Sequence, residues 1–186
     1  MRNTAYILLL SILFLSHFFA HSQEIDKALT ISSFSYVRDI DHIITKSTVD
    51  SKEFEPVNEK DLNWGSENGW YWFKISVNVS SGNEGLYHFK IPSIHVKSFS
   101  LFMANYNNII HLGTSGNDIP IHKKPELERL TSVPTYMREG INTFYIQTFF
   151  WHEAYFPLTI INDNTYLRSN INSVGFSGAY FGFASL

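Results

Sequence analysis

The residues best suited to chemistry lie on one strand. From Trp70 to Val79 the chain reads Trp-Tyr-Trp-Phe-Lys-Ile-Ser-Val-Asn-Val. A period of two places Tyr71, Phe73, Ile75, Val77 and Val79 on one side, and Trp70, Trp72, Lys74, Ser76 and Asn78 on the other. An indole face stacks on the C–H surface of a sugar ring, and a nearby cation fixes its hydroxyls, so Trp70, Trp72 and Lys74 form a candidate ligand surface. The competing reading is packing. If the segment before Trp70 covers this face, both tryptophans are core residues, as tryptophan usually is. Lys74 would then lay its stem on aromatic surface and keep its ammonium in water.

A second candidate is the loop from Phe150 to Phe156, in which Trp151, His152 and Glu153 could line a pocket mouth. It could equally fold over the open end of the core. His122-Lys123-Lys124 is either an anion contact or a solvated loop. Catalysis finds little support. Gly113-Thr114-Ser115-Gly116-Asn117 and Gly175-Phe176-Ser177-Gly178-Ala179 both miss the last glycine of a nucleophile elbow. Asp39, Asp41, Glu53, Glu55, Asp61 and Glu67 sit in polar segments, with no pair on a strong strand. Beyond Ser22 the histidines lack metal-ligand spacing, and His88 and His111 read as ordinary strand residues. No cofactor is expected, and a net charge of −3 with scattered signs excludes a nucleic-acid face.

The elements that must hold these residues are strands. Leu86 to Ile91, Val96 to Met103, Ile109 to Leu112, Ser132 to Met137, Ile141 to Phe150 and Pro157 to Ile161 alternate or carry strand composition, separated by turn residues. Pro134 marks Ser132 to Met137 as an edge strand. Before Trp70 the chain is polar and weakly patterned. Ser33 to Val37 and His42 to Ile44 are candidate short strands, and Glu55-Pro56 reads as loop. This pattern predicts an all-β, antiparallel, jelly-roll-like sandwich.

Arg2 is followed by an apolar run from Ala5 to Phe14 that continues through Phe18 and Phe19 to Ala20. Together with Ala20 and Ser22 before Gln23, it reads as a secretory signal peptide over 1–22, with a permanent N-terminal anchor as the alternative. With no cysteine, an exported domain must be stable through its core alone. After Arg168 no charge occurs through Leu186, and Gly178 and Gly182 sit four apart in an apolar stretch. That stretch is a last core strand, a frayed tail or the start of a transmembrane helix. The expected organisation is a signal peptide at 1–22, a β-sandwich at 23–168, and a connector with the beginning of a membrane helix at 169–186.

Several features fall into one order: Trp72-Phe73-Lys74-Ile75, a strand ending at Pro92, Ile94-His95-Val96 leading to Leu101-Phe102, Gly116 before His122-Lys123-Lys124, Pro134, Gly140 before Thr143-Phe144-Tyr145-Ile146-Gln147, Pro157-Leu158, and finally Gly178 to Gly182. This series resembles the second type of extracellular domain found in bacterial seven-transmembrane receptors with diverse intracellular signalling modules. The resemblance covers most of Ile31 to Arg168. It implies a periplasmic jelly-roll-like domain of an inner-membrane receptor, non-enzymatic itself, whose partners are a small-molecule or glycan ligand and its own transmembrane bundle. Of the candidate surface, the family pattern carries over only to Trp72 and Lys74. The alternatives are a freestanding secreted carbohydrate-binding module and an exported hydrolase fragment, and the latter lacks recognisable catalytic residues.

Overall fold

The computed structural model describes residues 25–57, 63, 65, 68–93, 95–106, 108–125, 131–152 and 154–169. The expected signal peptide, and all but the first residue of the expected connector and membrane helix, lie outside them. Among the described residues no helix is long and apolar enough to cross a membrane.

The described residues form nine strands: β1 Leu29–Asp39, β2 Glu55–Pro56, β3 Gly69–Val79, β4 Gly85–Ile91, β5 Val96–Asn105, β6 Asn108–Ser115, β7 Thr131–Met137, β8 Gly140–Phe150 and β9 Thr159–Asn162. They build a six-stranded sheet in the order β2-β1-β3-β8-β5-β6 and a three-stranded sheet in the order β7-β4-β9. Every pairing between these strands is antiparallel, so the chain is an all-β sandwich. β7 is an edge strand of the small sheet, where Pro134 deprives the ladder of one donor at little cost.

The alternation in β3 does what a period of two requires. Tyr71, Phe73, Ile75, Val77 and Val79 all enter one buried core with Phe144, Ile146 and Phe150 of β8 and Phe99 and Leu101 of β5. From the small sheet Tyr87, Phe89, Ile91 and Val133 face them. Phe89 meets Phe144 across the sandwich at 4.8 Å between ring centroids, and Phe156 stacks on Phe73 at 4.0 Å.

Three expectations for the segment before Trp70 change. Ser33 to Val37 is the middle of an eleven-residue strand, β1, paired with β3 along its whole length. Glu55-Pro56 is the short strand β2, pairing with Ser35 and Tyr36, where the sequence reads as loop. His42 to Ile44 is not a strand. The buried carboxylate of Asp39 accepts the backbone N–H groups of Ile43 and Ile44 and folds this stretch into a turn, with His42 at a left-handed φ of 52°.

Gly116 follows β6 at φ +133°, and a Cβ built there would stand 2.3 Å from the Lys97 carbonyl oxygen. Only glycine fits this approach of the chain to β5.

Beyond β9, residues 163–169 are helical and pack on the outer face of the small sheet. The buried His88 ring stacks on Tyr166 at 3.7 Å and 5°, and its Nε2 lies 2.9 Å from Asp163 Oδ1. The Lys90 ammonium stands 4.9 Å from the Tyr166 ring centroid. His88 is thus an anchor for the segment leaving the sandwich, beyond the ordinary strand role that the sequence suggested.

Candidate ligand site on the outer face of the large sheet

The polar side of β3 forms the outer face of the large sheet, and the chain between β1 and β3 folds back over part of it. Val49 and Ile44 are buried there with Trp72, Phe102 and Tyr145, and Val37, Phe54, Ala104 and Ile109 pack around them. This is a second, smaller core on the far side of the sheet from the first. It separates the sequence-predicted residues into three environments.

Trp72 lies inside this second core. It is 1% exposed and its ring centroid lies 5.3 Å from that of Phe102. Its face is therefore not open to a ligand, and the stacking-platform role is corrected to packing because the segment carrying Ile44 and Val49 covers it. Its indole N–H is buried with no hydrogen-bond partner among the described residues.

Trp70 and Trp151 come together at the end of the sandwich where β3 begins and β8 ends. The Trp70 and Phe149 rings are 5.2 Å apart, and the Phe149 and Trp151 rings 6.5 Å. His42 stacks flat on Trp70 at 4.1 Å, and the Lys97 ammonium stands 4.0 Å above the Trp151 ring. Trp151 remains 40% exposed. His152 is exposed, has a φ of 73°, and is tied through its backbone N–H to the Asn68 side chain. His122 and Lys123 sit in an exposed 3-10 turn, Ile121–Lys123.

Lys74 belongs to the third environment. It pairs in register with Tyr145 of β8, and its ammonium stands 5.3 Å from that ring's centroid. Both converge on Asp50, which lies on the 3-10 turn Val49–Ser51. The Tyr145 hydroxyl donates to Asp50 Oδ1, and Lys74 Nζ reaches the same oxygen at 3.4 Å. The Tyr145 hydrogen bond, seconded by Lys74, holds the Asp50 carboxyl below its ordinary range against a smaller opposing effect of burial. Burial pushes the Tyr145 phenol up, and the hydrogen bond to Asp50 adds to this. Burial works to lower Lys74, but its contacts with Tyr145 and Asp50 outweigh that and leave it raised.

Beside this triad opens a cleft of about 480 Å³, lined by Lys46, Ser47, Asp50, Ala104, Tyr106, Asn108, Ile109 and Tyr145. Its volume is in the range of small-molecule sites. Tyr106, at the tip of the β5–β6 hairpin, is fully exposed at its rim with a left-handed φ of 51°. The tight hairpin connection between the paired residues Asn105 and Asn108 accounts for this φ, and it leaves the ring in solvent. Sequence reading missed Asp50, Tyr106 and Lys46. The one signal for Tyr106 was an aromatic residue inside the polar turn Asn105 to Asn108.

A family model described as 7TMR-DISM extracellular 2 matches residues 31–162. The match runs from β1 to Asn162, the last residue of β9, and takes in both sheets and the cleft. No curated protein matches the chain. The chain therefore belongs to the 7TMR-DISM extracellular 2 family and is a non-catalytic sensor domain of a membrane receptor, lying outside the cytoplasm.

Proposed function

We propose that this domain senses a small polyhydroxyl ligand, a glycan fragment, bound in the cleft between the Val49–Ser51 turn and the β5–β6 hairpin. In this reading a signal peptide at 1–22 exports the domain to the periplasm, and the receptor sits in the inner membrane. The chain after Arg168 then enters the membrane bundle. The observation that carries the reading is the chemistry of the cleft wall. An exposed aromatic ring, Tyr106, lines the cleft together with an amine, a carboxylate, an amide and a hydroxyl from Lys46, Asp50, Asn108 and Ser47. Such a wall supplies a stacking face and both donors and acceptors for ring hydroxyls. Ligand binding shifts the receptor only through a difference in affinity between its states. The route out of the domain is the 163–169 segment held by His88 and Lys90.

The test is a thermal-shift screen of the full chain against a panel of mono- and oligosaccharides, repeated with Tyr106→Ala. A hit that raises the melting temperature, and that Tyr106→Ala abolishes without altering the melting temperature of the free protein, supports the reading. Absence of any hit across the panel, or hits indifferent to Tyr106, would falsify it.

A further inference from the structure

The Asp50 contact has the form of a receptor–ligand pair within one chain. On one side stand Lys74 and Tyr145, neighbours on the central strands β3 and β8. Tyr145 is buried in the second core, so its hydroxyl is held by packing; Lys74 is anchored on the adjacent strand. A cation and an O–H donor converging on one oxygen is the complement of a carboxylate. On the other side stands Asp50, carried by a three-residue turn in a connection, with 72% of its side chain still exposed. The receptor half is rigid and the occupant is a surface group. An exposed ion pair of this kind contributes about 0–1 kcal/mol, so an external carboxylate can exchange with it.

We propose that Lys74 and Tyr145 form a carboxylate-recognition site, that Asp50 occupies it as a built-in placeholder, and that the ligand is an acidic sugar whose carboxylate displaces Asp50. The inference rests on the cleft being the ligand site and adds the chemical class of ligand. Lys46 on the same rim brings a second cation, which would also face the incoming acid. The displaced Asp50 would swing outward into solvent while Val49 stays buried in the second core, so the exchange leaves the fold in place.

The experiment titrates the full chain with D-galacturonate, D-galactose and succinate, comparing wild type with Asp50→Asn, Lys74→Met and Tyr145→Phe. Asp50→Asn removes the competing carboxylate and should tighten galacturonate binding by about fivefold relative to its effect on galactose. Lys74→Met should weaken galacturonate by at least about tenfold, the scale of a lost charge-assisted contact. Tyr145→Phe keeps the packing and removes one donor, so it gives the same direction if Lys74→Met folds poorly. Galacturonate binding that is unchanged or weakened by Asp50→Asn overturns the proposal. Galactose binding without galacturonate binding also overturns it but leaves the glycan site standing. Succinate binding as tightly as galacturonate keeps the carboxylate site and removes the sugar. Binding of none of the three overturns both.

Discussion

Replacing Trp72 by alanine tests the assignment of this residue to a second core. A tryptophan side chain buries about 150–250 Å², and at about 25 cal/mol per Å² this corresponds to roughly 4–6 kcal/mol. The buried N–H without a partner offsets part of that, because leaving a donor unsatisfied costs about 1–3 kcal/mol. The net loss for Trp72→Ala is therefore about 3 kcal/mol, at the lower end of the usual range for a large aromatic truncated in a core. In a domain of this size each kcal/mol shifts the melting temperature by about 2–4 °C, so the variant should melt roughly 6–12 °C lower. Trp72→Phe is the control. It keeps a ring against Phe102 and removes the orphan donor, so it should stay within about 1.5 kcal/mol of wild type. The assay is thermal and urea unfolding followed by circular dichroism on both variants. A Trp72→Ala protein that melts within about 2 °C of wild type would refute the packing assignment and restore the exposed stacking face.

Gly116→Ala should lower the urea midpoint, by an amount equivalent to about 1–3 kcal/mol, because the new Cβ collides with the Lys97 carbonyl at a left-handed φ. An unchanged midpoint would show that the β6 exit has room to move. Asp50 has a lowered pKa, so its contribution is present above the unfolded value of 3.8 and is lost as pH falls through the folded value. The stability difference between wild type and Asp50→Asn should be under about 1 kcal/mol near neutral pH, given the exposed carboxylate, and should vanish in acid. A difference that grows on acidification would contradict the sign. Asp163→Ala removes the acceptor from His88 Nε2 and should speed amide hydrogen exchange over 163–169 while sparing β3 and β8. Unchanged exchange there would mean that Tyr166 alone holds the segment.

Strands whose apolar residues recur at every second position were legible from the sequence. β3, β4, β5 and β8 are of this kind, and their inward residues follow from period two, while the covering of outward residues such as His88 and Trp72 does not. β1 was only half legible for two reasons. It carries Ser32, Ser33 and Ser35, which weaken its strand composition, and a register shift between Ile31 and Ser33 breaks the alternation. The candidate site was less legible still. Lys74 was visible because it sits on the clearest strand. Asp50 and Tyr106 meet the same cleft from a connection and a hairpin tip far away in sequence, and neither local pattern nor composition encodes that convergence. The separation of Trp72 from Trp70 was also invisible. Two residues on one face of one strand differ only because a distant turn lies over the first and His42 over the second.

The cleft lies on the outside of one sheet, and the departing segment is fastened to the outside of the other. Backbone ladders make each sheet stiff within its own plane, and no ladder joins these nine strands across the gap. A displacement at Asp50 therefore has to cross as compression through interlocked rings such as Phe73, Phe156, Phe89 and Phe144, or travel along the covalent turns. Such a filling transmits a push well and a sliding motion poorly. The sandwich is in this sense a clutch between two plates, and the fit of its aromatic filling sets how much of a displacement on one sheet reaches the other.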